Sequence, residues 1–418
     1  MEPVADRQDD AAQSRAPGID RVLNIAAFVA FAAALFFRAL DPVIPQVASD
    51  MGVEPKTAAM LAAAFAFPYG FIQPVLGPVA DMIGKPRVMT LCIVLLVAMA
   101  ALGALAPNFP VLMVSRALAG AACGGAFPIA MALVGDLVPV ARRQVALGRL
   151  LLATITGNLL GAAVAGVIAD LIHWRAILIV FGVIGVAALA AAIIGFRDLP
   201  AVPRHPFALW ALPARFRAIF ADRRARICYS TVALEGIFLF GVFPYVALLL
   251  YAAGEARASI AGIVIGAFAV GGIIYSLSVR RLLTWLGQRR LMQAGGALIS
   301  FGLLAVAFAP PWPAQAAAFA VIGAGFYMLH GSIQVYVTEL APAMRSSGVA
   351  FHSFSFFGGQ AIGPVVFGFS LGAIGAMPSL VIASAVLALI GYTSAILLTR
   401  ERTVGADMAA EGESRTPP

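Results

Sequence analysis

Asp136-Leu137-Val138-Pro139-Val140-Ala141-Arg142 returns 203 residues later as Glu339-Leu340-Ala341-Pro342-Ala343-Met344-Arg345, with an acid, a proline and an arginine at the same spacing. The same displacement carries Gly84 to Gly287 and Arg87 to Arg290, and a displacement of 202 carries Gly161 to Gly363. Three stretches in one register over half the chain point to a duplicated unit. Between these marks the chain is strongly apolar. Of its 418 residues 61% are apolar and 11% charged, against about 45–50% and 25% in soluble domains. A soluble globule, a nucleic-acid-binding module and a disordered chain are excluded, and lipid is left as the main solvent.

Breaking the apolar runs at charges, proline and glycine leaves twelve stretches of roughly 18–25 residues, the length that crosses a bilayer as helix. They are spans 1 to 12, at roughly 22–48, 58–80, 88–106, 111–135, 146–172, 176–196, 227–252, 260–279, 291–308, 316–337, 348–371 and 377–398. The expected fold is an all-α membrane protein whose twelve transmembrane helices form two pseudo-symmetric six-helix bundles. Residues 1–21 are a polar tail without a signal-cleavage pattern, 22–196 the first bundle, 197–226 a basic linker, 227–399 the second bundle and 400–418 a second tail. The linker carries Arg197, Arg204, Arg215, Arg217, Arg223, Arg224 and Arg226 against Asp198 and Asp222. Of the 28 Lys and Arg, only Lys56, Arg175 and Arg257 fall in outer loops and Arg38 and Arg116 within spans. The basic excess on the other side predicts cytoplasmic N- and C-termini. Trp174 and Trp312 are then expected at the outer interface and Trp285 at the inner one. The predominance of Arg over Lys suggests a bacterial inner membrane. Cys92, Cys123 and Cys228 lie inside apolar runs without pair or metal spacing and read as small core residues.

Between spans 2 and 3 stands Gly77-Pro-Val-Ala-Asp81-Met-Ile-Gly84-Lys85-Pro-Arg87. Gly77 lets two helices approach, Gly84 makes the turn, and Asp81 can cap a helix N-terminus or pair with a cation. This loop resembles the Gly-x-x-x-Asp-x-x-Gly-(Arg/Lys)-x-(Arg/Lys) signature of the major facilitator superfamily, and with the spans and the repeat the resemblance covers nearly the whole chain. It implies that Gly77, Asp81, Gly84, Lys85 and Arg87 form a cytoplasmic gate, a latch engaged when the cavity opens outward. The second copy keeps Gly287, Arg289 and Arg290 but has Thr284 in place of the acid, so its latch is expected to be weaker. Span 4 carries Arg116-Ala-Leu-Ala-Gly120, similar to the family's Arg-x-x-x-Gly. An arginine at that depth needs a partner, a wet cavity or a snorkelling route to the interface; the resemblance implies a cavity residue that influences nearby acids. Span 5 carries Gly148, Gly157, Gly161 and Gly166, similar to the antiporter motif with Ala162 and Ala165 for an expected Pro and Gly. Span 11 answers with Gly359, Gly363 and Pro364. These small residues provide a smooth face for tight packing, expected at the interface between the halves.

Ionisable groups inside spans are functional candidates by default. Asp41 follows Arg38 by three residues on one helix face, so the two can pair; simple mutual neutralisation is as good a reading as function. Glu235 has no basic neighbour within a turn of its own helix, and desolvation there favours the neutral acid. It is the first candidate for a coupling-proton carrier, with Asp41 second and Arg38 or Arg116 competing for Asp41. His330 and His352 read as hydrogen-bonded packing residues. Asn158 and Gln360 occupy repeat-related places and, with Gln334, Tyr245 and Tyr327, are the expected substrate-cavity residues. Many phenylalanines in spans 2, 7, 10 and 11 suit a hydrophobic or amphipathic solute.

No Gly-x-x-x-x-Gly-Lys loop occurs, so a gradient is the expected energy source; each charge moved across about 100 mV is worth roughly 2.3 kcal/mol. Duplicated halves place a solute cavity between them, reached from one side at a time. The resemblance extends to the twelve-span drug:proton antiporter branch, implying a proton-coupled efflux antiporter for small hydrophobic or amphipathic compounds. A sugar or organic-acid permease of the same superfamily is the alternative. A membrane-embedded enzyme or scramblase is the more distant one, since no cluster of acids, His or metal ligands converges at one depth. No cofactor, metal or nucleic-acid partner is expected; the partners are a small-molecule substrate, protons and the bilayer, and a monomer is expected.

Overall fold

The computed structural model describes residues 17–138, 140–197, 217, 220–340 and 345–413, and among them all regular structure is helical. Ten helices are long and apolar enough to cross a membrane. One of these, Ala258–Ala307, is two helices joined at Gly287, whose φ of 67° and ψ of 168° are not helical. Span 1 adds the twelfth passage as Pro17–Leu35, a one-turn 3-10 helix at Asp41–Val43 and a continuation at Ile44–Met51. Spans 2 to 6 are Met60–Ile83, Lys85–Ala104, Phe109–Leu137, Val140–Leu171 and Trp174–Gly195. Span 7 is Arg223–Glu235, a π-helical turn at Gly236–Phe240, a 3-10 turn at Phe243–Tyr245 and Val246–Ala252. Spans 10 to 12 are Trp312–Leu340, Arg345–Ile374 and Ala376–Glu413. With an even number of passages, residues 17 and 413 lie at the same end of the bundle.

The duplication extends to backbone detail. Asp41-Pro42-Val43 and Phe243-Pro244-Tyr245, 202 residues apart, both form 3-10 turns that interrupt a span. Gly52 and Gly254, also 202 apart, both have positive φ. So do Gly84 (φ 101°) and Gly287 (φ 67°), where the chain reverses between spans 2 and 3 and between 8 and 9; side chains with a Cβ rarely adopt that conformation.

Each half is held by close approach at glycines. A methyl group on Gly157 or Gly161 would fall on the backbone carbonyls of Phe31 and Leu35, so span 5 lies directly on span 1. Gly359 and Gly363 meet the carbonyls of Ala233 and Ile237, setting span 11 on span 7 in the register of the repeat. Gly120 meets Phe65 and Gly323 meets Phe268, which does the same for spans 4 on 2 and 10 on 8. These contacts correct one expectation: Gly157, Gly161, Gly359 and Gly363 pack within the halves, because their small face is turned to the first span of their own unit. Gly166 does lie between the halves, against Ala258 and Ser259 of span 8.

The element limits also differ from those read in sequence. Span 1 begins at Pro17, five residues inside the expected tail, and the span 12 helix runs to Glu413 through most of the other. Span 7 begins at Arg223 within the expected linker because Asp222 caps it, accepting the Arg224 N–H at 2.7 Å. Most of the linker lies outside the described residues. Trp174 stands at the start of span 6, at the loop end opposite the termini, and is buried there: its Nε1–H donates to Asp50 Oδ2 at 3.2 Å. Trp285 is exposed, and all three cysteines are buried.

At the loop end opposite the termini, Asp50 receives Trp174 and Arg175 from the start of span 6, with His173 Nε2 3.9 Å away. Burial opposes ionisation of Asp50, but the hydrogen bonds from Arg175 and Trp174 and the charges of Arg175 and His173 hold its carboxyl below the ordinary value. A depressed folded value means that this stabilisation is present above the unfolded pKa of about 4 and disappears as pH falls through the folded one. Asp50→Asn is expected to lower Tm at neutral pH and to match the native protein in strongly acidic buffer, checked by thermal unfolding across pH. Gly161→Ala is expected to cost about 1–3 kcal/mol by overpacking, whereas Gly148→Ala, with nothing within 4 Å of the new methyl, is tolerated; the same unfolding assay compares them.

Candidate functional site

A cavity of about 290 Å³ lies between the halves, walled by spans 1, 2, 4 and 5 on one side and 7, 8, 10 and 11 on the other. Beyond it, at the end opposite the termini, the halves are closed on each other. The carboxylate of Asp170 in span 5 accepts the first N–H groups of span 8, from Ala258 at 2.9 Å and Ser259 at 2.8 Å. Gly262 of span 8 lies on the Ala162 carbonyl, and the broken segments of spans 1 and 7 pack together. Nearer mid-depth, Gly70 of span 2 abuts Phe357 of span 11. Toward the termini the halves part: among the described residues, Pro17–Leu35 packs chiefly on spans 3 to 6 and Arg223–Glu235 chiefly on spans 10 to 12.

The two span breaks shape the site. The first helix of span 1 stops at Leu35, and the turn that follows, before Pro42, places Arg38 on the cavity wall. Its Nη1 donates to Asp41 Oδ2 at 3.0 Å and its Nη2 to Gln360 Oε1, in the other half, at 2.7 Å. The guanidinium lies over the rings of Phe37, Phe240 and Phe243 at 4.7, 4.9 and 4.7 Å. Asp41 is buried behind it and is not part of the wall.

Span 7 breaks into its π-turn directly after Glu235, which is 0% exposed. Glu235 Oε2 is 2.7 Å from His330 Nδ1 of span 10, and Oε1 has no hydrogen-bond partner among the described residues. His330 forms part of the cavity wall; Glu235 stands behind it. The His330 ring also meets Phe326, Phe356 and His352 at centroid distances of 4.7, 4.6 and 4.9 Å. The bond needs one proton, carried either by Nδ1 toward a carboxylate or by the acid toward the ring nitrogen. Sequence reading supplied Glu235 but not this partner, since no spacing rule links positions 95 residues apart.

Other expectations fare unevenly. Asn158, Gln334, Gln360 and Tyr327 are on the cavity wall, and Asn158 Oδ1 and Gln360 Nε2 lack partners among the described residues. Tyr245 is not on it: its hydroxyl donates to the Pro364 carbonyl at 2.8 Å, because the 3-10 turn carries the ring into the core of the second half. Arg116 neither snorkels nor reaches the cavity. It is 3% exposed, donates to the Phe36 carbonyl at 3.1 Å and lies 4.2 Å over Phe65. Its Nε and Nη1 find no partner among the described residues. In the signature loop, Lys85 Nζ bonds Asp136 Oδ2 at 2.5 Å, tying the loop to the end of span 4, and Arg87 is exposed. The Gly77 and Asp81 side chains lie outside the described residues. Among the described residues no group of His, Cys, Asp and Glu could hold a metal ion.

Residues 26–364 match the family model described as Major Facilitator Superfamily. The quinolone resistance protein NorA of Staphylococcus aureus is 29% identical over 157 residues, 38% of this chain and 40% of that protein; the match thus spans well under half of the relative's length. The uncharacterized MFS-type transporter YfhI of Bacillus subtilis (strain 168) is 23% identical over 62% of this chain and 63% of its own. Among solved structures, a D-xylose-proton symporter superposes with a TM-score of 0.72 at 15% identity, covering 90% of this chain and 96% of that one. The nucleoside transporter NupG gives 0.72 at 13% identity, covering 90% and 98%.

Removing the Asp170 carboxylate takes away two bonds that join the halves at the closed end. Asp170→Ala is therefore expected to raise, severalfold, the labelling of a cysteine introduced at Met60 by a membrane-impermeant maleimide. Unchanged labelling would show that the capping bonds do not hold that end shut.

Proposed function

The chain belongs to the major facilitator superfamily, and from that membership we propose that it is a proton-coupled antiporter that exports small hydrophobic or amphipathic compounds across a bacterial plasma membrane by alternating access. One observation carries the reading: a titratable pair, His330 on the wall with Glu235 behind it, borders a chamber whose wall includes ten Phe and Tyr side chains. The aromatic surface favours apolar solutes, and the pair supplies the proton site. The likeness to a protein named for quinolone resistance adds support for export of drug-like compounds.

In this reading the closed end faces outward and the cavity opens to the cytoplasm, the side to which the basic residues assign the termini. Solute entering the aromatic chamber meets His330, and through it Glu235, so that occupancy and proton binding compete at one place. Rocking of the halves along the contacts of span 5 with span 8 and span 2 with span 11 then exposes the site to the other side. Glu235 and His330 carry the coupling proton, Arg38 and Asp41 form a neutral ion pair, and Arg116 holds the turn of span 1 through the Phe36 carbonyl. The amides of Asn158, Gln334 and Gln360 supply polar contacts. The unpartnered atoms of Asn158 and Gln360 favour a second reading, a permease for a hydroxyl-bearing metabolite, which the same assay separates.

Purified protein in liposomes with an imposed pH gradient, presented with a panel of drugs, dyes, sugars and organic acids, tests this. Gradient-driven flux is expected for amphipathic compounds in the native protein. Glu235→Gln is expected to reduce that flux to background while leaving solute exchange without a gradient. Full gradient-driven flux in Glu235→Gln would remove the assignment of this acid.

A further inference from the structure

The charge on the cavity wall has one sign. Among the described residues Arg38 is the only Asp, Glu, Lys or Arg side chain on that wall; Asp41 stands behind it and Glu235 behind His330. A permanently cationic solute would leave water for a chamber that offers it no carboxylate and faces it with a guanidinium. Of the ten aromatic rings on the wall, the three around the guanidinium, Phe37, Phe240 and Phe243, already face Arg38 at 4.7, 4.9 and 4.7 Å, so a cation would have to use the remaining rings without a countercharge on the wall. An anion meets the opposite situation. The bonds to Asp41 and Gln360 use two of the five N–H donors of the guanidinium. Beside it Gln360 Nε2, on a side chain 3% exposed, donates to nothing among the described residues. A carboxylate that displaces Gln360 Oε1 from Arg38 would accept from the Nη2–H it frees and, once the amide turns, from Nε2–H as well. The volume of about 290 Å³ lies at the small end of ligand pockets and suits one or two fused rings.

Resting on the reading of this cavity as the substrate site, we propose that its preferred substrates are small aromatic monoanions, with the carboxylate or equivalent planar acid group held by Arg38 and Gln360 and the ring body by the phenylalanines. Asp41 has a defined part in this arrangement. It holds the guanidinium in place and tempers its charge, so the anion is bound and also released.

The test is equilibrium binding to the purified full-length chain of three probes with one ring body: 2-naphthoate, 2-naphthamide and a 2-naphthyl trimethylammonium salt. Naphthoate is expected to bind about tenfold or more tighter than the amide, the range of a hydrogen bond to a charged group, and the ammonium salt weakest. The double variant Arg38→Gln/Asp41→Asn removes both charges together, so no unpaired ion is left in the core; it is expected to bring the acid-to-amide ratio near one. Asp41→Asn alone is expected to raise that ratio, which a merely structural role for the pair would not do, and thermal unfolding shows whether each variant is folded. Tighter binding of the amide or the ammonium salt by the native protein, or survival of the ratio in the double variant, would overturn the proposal. If none of the three binds, the proposal falls, whereas gradient-driven flux of other compounds in liposomes would still support the proton-coupled reading.

Discussion

Everything in this architecture depends on backbone meeting backbone where side chains are missing. In lipid there is no hydrophobic force between helices, and association rests on van der Waals packing and hydrogen bonds. Gly157 and Gly161 bring span 5 onto the carbonyls of span 1, and Gly359 and Gly363 bring span 11 onto span 7 at positions 202 residues further on. Each half is thereby tied together by close backbone contacts along its own spans. The same closeness explains why spans 1 and 7 can break without unravelling, because their neighbours hold the turns in place.

The halves share a backbone plan but not a chemistry. By the repeat, Arg38 corresponds to Phe240 and Asp41 to Phe243, and these two phenylalanines are rings over which the Arg38 guanidinium lies. Glu235 corresponds to Ala33, and His330 to Phe127 at a displacement of 203. One half thus contributes an ion pair and the other a carboxyl–imidazole pair, and each has apolar residues at the equivalent positions of the other half. Of the amides only Asn158 and Gln360 stand as a symmetric couple, and both are on the cavity wall.

Much of this was legible in the sequence, for identifiable reasons. Span number and halves follow from hydropathy and from a repeat in register, both linear properties. The Arg38–Asp41 pair is legible because three residues separate its members on one helical face. His330 as the partner of Glu235, and Gln360 as the partner of Arg38, were not, since 95 and 322 residues separate them and no local pattern marks the meeting. Tyr245 and Arg116 were misplaced because straight helices were assumed. The 3-10 turn at Phe243–Tyr245 carries Tyr245 into the core, and the break in span 1 bares the Phe36 carbonyl that takes up Arg116. Asp170, silent in sequence at the end of its span, emerged only when the other half came within reach.

Span 11 carries two jobs on one rod. Gln360, which touches Arg38, is three residues from Phe357, whose Cβ and Cα press on span 2 at Gly70. The amide that contacts Arg38 and the residue that contacts span 2 therefore stand on one stretch of helix, with no intermediate side chain between the cavity wall and that seam. The chemistry of the cavity wall and the joint between the halves are thus less than one helical turn apart.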